Sequence, residues 1–314
     1  GDNNKLVENF IEHFDGDELN DGDNDGDDKL KYIANNCPPT KVFNDIIGDY
    51  QDLVLADFYY SACYNSLVYG FGKDAFLTLN NLYQLLLPAS NPVNGFNMRM
   101  LHFKIDYDTK TNIPMVTNEN INPNARIDLY TCIKKINSLA WKQPFSTKCV
   151  LPLFLYFEFI DSNFTMFEYV NNILNEIFGS RLVNKKYGYA GRNNIFPVSM
   201  APLSDCFGKV VIFTNMYPTM TTLDEIINVS TADDSQCKII KYTKELHSFN
   251  TGVVTNNSKD DLINRSKTRF IMVIPSIIEK KKIELINPHI EDCYNHGIQF
   301  VLTNPFYNMG SDIY

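Results

Sequence analysis

NPHIEDCYNHGIQFVLTNPF (residues 287–306) carries the most extended fold signal in the chain. It reads as a short helix, flanked by His289 and His296, followed by a strand-like GIQFVLTNPF. Upstream lie further strand-like runs: DFYYSACYNS (57–66), RMLHFKIDYD (99–108), IPMVTN (113–118), CVLPLFLYFEF (149–159), GKVVIFTN (208–215), HSFN (247–250) and RFIMVIP (269–275). The near-continuous apolar character of LPLFLYFEF suits a strand covered on both faces. Between these runs fall helical patterns. LTLNNLYQLLL (77–87) is one, DLYTCIKKINSLAW (128–141) has Asp128 at its start, and NFTMFEYVNNILNEIFG (163–179) closes on a C-capping glycine, Gly179. IIEKKKIEL (277–285) reads as a charged helix, with EKKK as a solvated face. Eight strands with crossovers of this size predict a (β/α)8 barrel.

The chain has 314 residues, 44% of them hydrophobic and 13% aromatic, enough for one large barrel domain over residues 50–314. Its net charge of −9 argues against a nucleic acid partner and against a basic face for anionic membranes. No apolar run reaches the ~18 residues of a membrane span, and no signal peptide is read at the start, so a cytoplasmic or virion-associated location is expected. The seven cysteines lack CxxC spacing and are read as free thiols. Residues 1–49 read as an acidic segment with short helices. There Asp21, Asp23, Asp25 and Gly26 match the first, third, fifth and sixth places of an EF-hand loop. Asp28 at the eighth place and Tyr32 at the twelfth break the pattern, which leaves a solvated acidic linker. Residues 216–262 weaken into polar text, read as an insertion or linker.

Over residues 50–308 these segments resemble, in order, the catalytic barrel of eukaryotic phosphoinositide-specific phospholipase C, with an X-like half at 50–215 and a Y-like half at 263–314. The resemblance is most extended at 287–306, which is similar to the family's NPxxFWNAGCQMVALNFQ. It implies a distorted TIM barrel of the phospholipase C-like phosphodiesterase type, and calcium as the family's cofactor. It also implies that the chemistry has been lost. SACYNS stands where the family has SSHNTY, so Asn65 keeps a calcium-ligand position while Tyr64 replaces the first catalytic histidine. A phenol cannot supply the charged hydrogen bond that imidazolium gives the phosphate.

HFKIDYD keeps a second ligand position in Asp106 and puts Lys104 on a third. Residues 102, 104 and 106 share one face of a strand, so Lys104 is expected to pair with Asp106 or Glu158 in place of a bound cation. MVTNEN occupies the place of YHGHT, which sets Asn118 near the second catalytic histidine's position, with Thr117 and Glu119 beside it. Glu158 matches the remaining carboxylate ligand. Among the substrate-reading positions, Phe213 and Asn215 replace lysines, Ser248 keeps a hydroxyl, Met272 replaces the phosphate-binding arginine and Ile274 the ring-stacking tyrosine.

These readings predict a catalytically inactive barrel serving as a structural or binding module, with calcium binding lost, a protein partner, and weak or no direct membrane binding. The Asn and Asp bias points to an A+T-rich genome, and a virion component of a large DNA virus is the expected setting. The alternative is an active phosphodiesterase with rearranged acid–base residues, His102 or Glu119. His102 is otherwise a satisfied core histidine.

Overall fold

The structure, a computed structural model, describes residues 53–70, 75–86, 96–118, 125–141, 151–188, 196–242, 259–280 and 282–307, with backbone alone at 276–280 and 282–284. Eight strands, β1 (Tyr60–Cys63), β2 (Met100–Asp108), β3 (Leu153–Phe159), β4 (Val210–Thr214), β5 (Val229–Ser230), β6 (Cys237–Lys241), β7 (Phe270–Ile274) and β8 (Phe300–Thr303), pair in parallel. Their spatial order is β5-β4-β3-β2-β1-β8-β7-β6. Every strand therefore lies beside its sequence neighbour and β8 returns to β1. Only the β5–β6 junction lacks a ladder among the described residues, which makes a nearly closed (β/α)8 barrel. At that seam a side chain takes over: Gln236 Oε1 accepts the Ser230 N–H at 2.9 Å.

Alternation along the strands sorts the core into two layers. Inward-facing Tyr60, Phe154, Phe213, Phe270 and Phe300 fill the lumen as an aromatic plug. Its ring centroids lie 4.5 Å apart for Tyr60–Phe154, 5.0 Å for Phe154–Phe300 and 5.6 Å for Phe213–Phe270. Outward-facing Leu101, Phe103, Leu155, Phe157 and Ile212 are buried with Ile133 and Ile136 of one helix and Met166, Val170 and Leu174 of another.

The helices are α1 (Asn81–Leu86), α2 (Leu129–Leu139), α3 (Phe164–Phe178), α4 (Lys259–Ser266) and α5 (Ile290–Tyr294). Asp128 caps α2 by accepting the N–H groups of Tyr130 and Thr131, and Asn163 caps α3 through the Met166 N–H. Gly179 ends α3 at φ +48°, where glycine carries no Cβ penalty.

Several expectations change. Ile113–Thr117 is not a barrel strand; it folds back antiparallel on β2, pairing Lys104 with Thr117 and Asp108 with Ile113. Residues 109–112 are too few for a parallel crossover, which needs a dozen or more. The region read as a linker supplies β5 and β6, the first too short to show any period. The charged segment 277–285 lies in an antiparallel hairpin, Ser276–Lys280 with Lys282–Ile286, instead of a helix. β1 is shorter than the 57–66 run: a 3-10 turn at Leu55–Asp57 precedes it, and the chain turns at Asn65, φ +47°, soon after it. The HSFN stretch lies outside the described residues. The five described cysteines, Cys63, Cys132, Cys206, Cys237 and Cys293, are buried and free.

Candidate functional site at the barrel mouth

The carboxyl ends of β1, β2 and β3 bring together Tyr64, Asn65, His102, Lys104, Tyr156 and Glu158. β1 ends in a sharp corner at Asn65, whose φ of +47° lies in the left-handed region that asparagine tolerates better than most residues. Three hydrogen bonds staple this corner to His102. The Asn65 N–H donates to His102 Nδ1 at 3.1 Å, the Ser66 N–H donates to the His102 carbonyl at 2.9 Å, and Ser66 Oγ accepts the His102 N–H at 3.0 Å. Because Nδ1 accepts, the imidazole hydrogen sits on Nε2, which donates to Glu158 Oε2 at 2.9 Å. The ring is fully buried, stacked on Tyr64 at 4.7 Å and 4° and tilted against Tyr156 at 4.9 Å.

Electrostatics follow from this packing. Burial pushes the His102 proton affinity down, against the opposing pull of its Glu158 hydrogen bond, so the ring is neutral at pH 7. Burial by itself would raise the Glu158 pKa. The His102 hydrogen bond and the Lys104 ammonium outweigh it and hold the carboxyl well below the usual carboxylate range.

Lys104 Nζ lies 3.7 Å from Glu158 Oε1. Residues 104 and 158 are direct partners on neighbouring parallel strands, which is why the lysine meets Glu158, one of the two carboxylates expected for it. Asp106 is engaged by Arg126, Nη2 to Oδ2 at 2.7 Å. Arg126 opens a short strand, Arg126–Asp128, that pairs with Ile113–Thr117 and so reaches the mouth from the outer side of that antiparallel strand.

The remaining sequence-predicted positions divide. Asn118 is buried directly after Thr117, the cross-strand neighbour of Lys104. Phe213 and Met272 are fully buried in the lumen plug, and Ile274 packs on it half-buried. Asn215 uses both ends of its amide on Phe159, accepting its N–H and donating to its carbonyl at 2.9 Å each, and so clamps β4 to β3. Ser248 and Glu119 lie outside the described residues. Two participants were missed. Tyr156, whose hydroxyl meets Thr231 Oγ1 at 3.1 Å, shares strand parity with Glu158 and was findable by alternation. Arg126 carries no local signal.

A divalent calcium takes six to eight oxygens in one cage. Here Asp106 and Glu158 each face a cation of the chain itself, Arg126 at Asp106 and Lys104 at Glu158. Asn65 Oδ1 is a buried oxygen with no hydrogen-bond partner, but it is one neutral donor. The residues present do not fit calcium, and among the described residues no three His, Cys, Asp or Glu side chains converge as a metal-binding group. No helix among them is long and apolar enough to cross a membrane.

No family model matches the chain, and no curated protein matches it in sequence. Solved structures do match. The crystal structure of L. pealei PLC21 is 14% identical with a TM-score of 0.59, covering 82% of this chain and 34% of that one. S. officinalis PLC21 is 15% identical with the same TM-score and the same coverage, 82% and 34%. A calcium-dependent phosphoinositol-specific phospholipase C from Pseudomonas sp. is 12% identical with a TM-score of 0.49, covering 82% of this chain and 93% of that one. The chain thus spans about a third of the length of the two PLC21 chains. In fold it resembles the phospholipase C catalytic barrel, at identities that bear on the fold alone.

Proposed function

We propose that this protein is a catalytically inactive phospholipase C-like barrel that serves as a structural or binding module for a protein partner. One observation carries the reading: the imidazole at the mouth is enclosed. General acid–base catalysis needs a titrating group within hydrogen-bond reach of the substrate's proton. His102 has no exposed surface, and its Nδ1 and Nε2 are occupied by the Asn65 N–H and by Glu158. At the position the resemblance gives to the phosphate-stabilising histidine, the Tyr64 ring lies flat against it. The substrate-reading positions Phe213 and Met272 serve as lumen packing. The chain's Asn and Asp bias supports an A+T-rich genome of origin, and a virion component of a large DNA virus is the setting proposed for such a module.

The rival reading, a phosphodiesterase with rearranged acid–base residues, draws on the His102–Glu158 pair, because a carboxylate that orients an imidazole is a common catalytic arrangement. Here, however, the Nε2 hydrogen points into the carboxylate, and Nδ1 is covered by backbone. The test is incubation of the purified protein with vesicles containing phosphatidylinositol and its phosphorylated forms, with calcium or with EGTA. No release of inositol phosphates above a boiled control is expected. Release above that control overturns the proposal.

A further inference from the structure

We infer that the barrel mouth carries its own counter-ions in place of a divalent cation: Lys104 and Arg126, from two different elements, neutralise Glu158 and Asp106 and make the architecture of the mouth independent of calcium. The inference deepens the reading above, since it rests on the same resemblance for where the family's metal positions fall.

The charge balance is local. Two carboxylates project at the ends of adjacent strands, with side-chain exposures of 19% for Asp106 and 33% for Glu158, too little for water alone to screen them. A divalent ion would supply two positive charges from one point. The chain supplies the same two charges from two points. Lys104 reaches Glu158 across the β2–β3 register, and Arg126 reaches Asp106 from the Arg126–Asp128 strand, where it pairs with Thr117.

Neither cation replaces the other. Side chains two apart on one strand project the same way with their Cα atoms ~6.5–7 Å apart, whereas Lys104 and Glu158 are direct cross-strand partners. Lys104 lies across the strand register from Glu158, and Asp106 takes a counter-ion of its own from Arg126. The arginine completes the set, and its planar fork suits a carboxylate at 2.7 Å. The substitution at position 104 and the approach of the 126–128 strand therefore form one device.

The test is thermal unfolding of the full chain in millimolar calcium, millimolar magnesium or EGTA, with the variants Arg126→Gln, Lys104→Gln and the double Lys104→Glu/Arg126→Gln. For the unaltered protein the three melting temperatures should coincide. Arg126→Gln should melt lower by about 2–4 °C, the shift that the loss of one part-buried ion pair produces in a domain of this size. Calcium should raise the melting temperature of the double variant, in which three acidic groups and Asn65 Oδ1 face one another without a cation. Should the double variant not fold, partial rescue of Arg126→Gln by calcium supports the same conclusion. A calcium-dependent rise in the unaltered protein that Asp106→Asn abolishes would overturn the inference, and so would Arg126→Gln and Lys104→Gln both melting as the parent does. The two proposals fail separately: lipid cleavage would sink the functional reading without changing any melting temperature, and a calcium-dependent melting temperature would sink this one without creating activity.

Discussion

Replacing His102 by phenylalanine isolates what this residue does. The ring keeps its place between Tyr64 and Tyr156, so the stacking at 4.7 Å and 4.9 Å is largely retained. Two hydrogen bonds are lost. The Asn65 N–H, buried at a corner with φ +47°, is left without an acceptor, at a cost of about 1–3 kcal/mol. The Glu158 carboxylate loses a charge-assisted donor worth about 1.5–3 kcal/mol, with the lower end favoured because its side chain is 33% exposed and water recovers part. The sum is about 2.5–5 kcal/mol. Urea unfolding followed by the fluorescence of the single tryptophan, Trp141, which is buried beneath the Arg181 guanidinium, reads the change in midpoint. His102→Gln, whose amide can still donate to Glu158, should fall between the parent and the phenylalanine variant. A loss below about 1 kcal/mol in His102→Phe would show that the imidazole is not a structural clamp, and the enclosed-histidine argument would fall with it.

Three further outcomes follow from the geometry. Burial depresses the folded-state pKa of His102, so the unfolded chain takes up that proton first; stability should be flat above about pH 7 and decline as pH falls below His102's ordinary value of 6.5. A second decline below Glu158's ordinary value of 4.5 should follow, because its folded pKa is also lowered; circular-dichroism melts across pH check both stages, and His102→Phe should remove the first. Arg99 is fully buried and donates to the carbonyls of Ala140, Leu151 and Pro152, tying the end of α2 to the start of β3; Arg99→Met should cost about 3 kcal/mol or more in urea unfolding, and Arg99→Lys should recover less than half because it lacks the fork. Gly297 has φ +73°, and a Cβ there would sit 2.7 Å from Ser266 Oγ and 3.3 Å from Ile263 Cα, so Gly297→Ala should destabilise by about 1–3 kcal/mol, more than Gly179→Ala, where nothing lies within 4 Å.

Much of the barrel was legible because its strands are buried on both faces. A strand flanked by lumen and helices must be apolar throughout, and LFLYFEF at Leu153–Phe159 announces itself for that reason. Caps are equally local: Asp128, Asn163 and Gly179 satisfy or end their own helices within three residues. Parity along β2 placed His102, Lys104 and Asp106 on one face with no knowledge of the neighbours. The identity of those neighbours lay beyond any local pattern. Lys104 turns to Glu158 because β2 and β3 pair in a particular register, and Asp106 finds Arg126 because a four-residue turn sends Ile113–Thr117 back along β2 and brings Arg126–Asp128 behind it. A two-residue strand such as Val229–Ser230 has no period to read, and 277–285 has apolar spacing too short to separate a helix from a hairpin. Along the long strands and helices, backbone periodicity sets which face a residue occupies, and that is readable one segment at a time. Which charge a residue meets depends on the register between segments that are distant in the chain, and so emerges only when they pair.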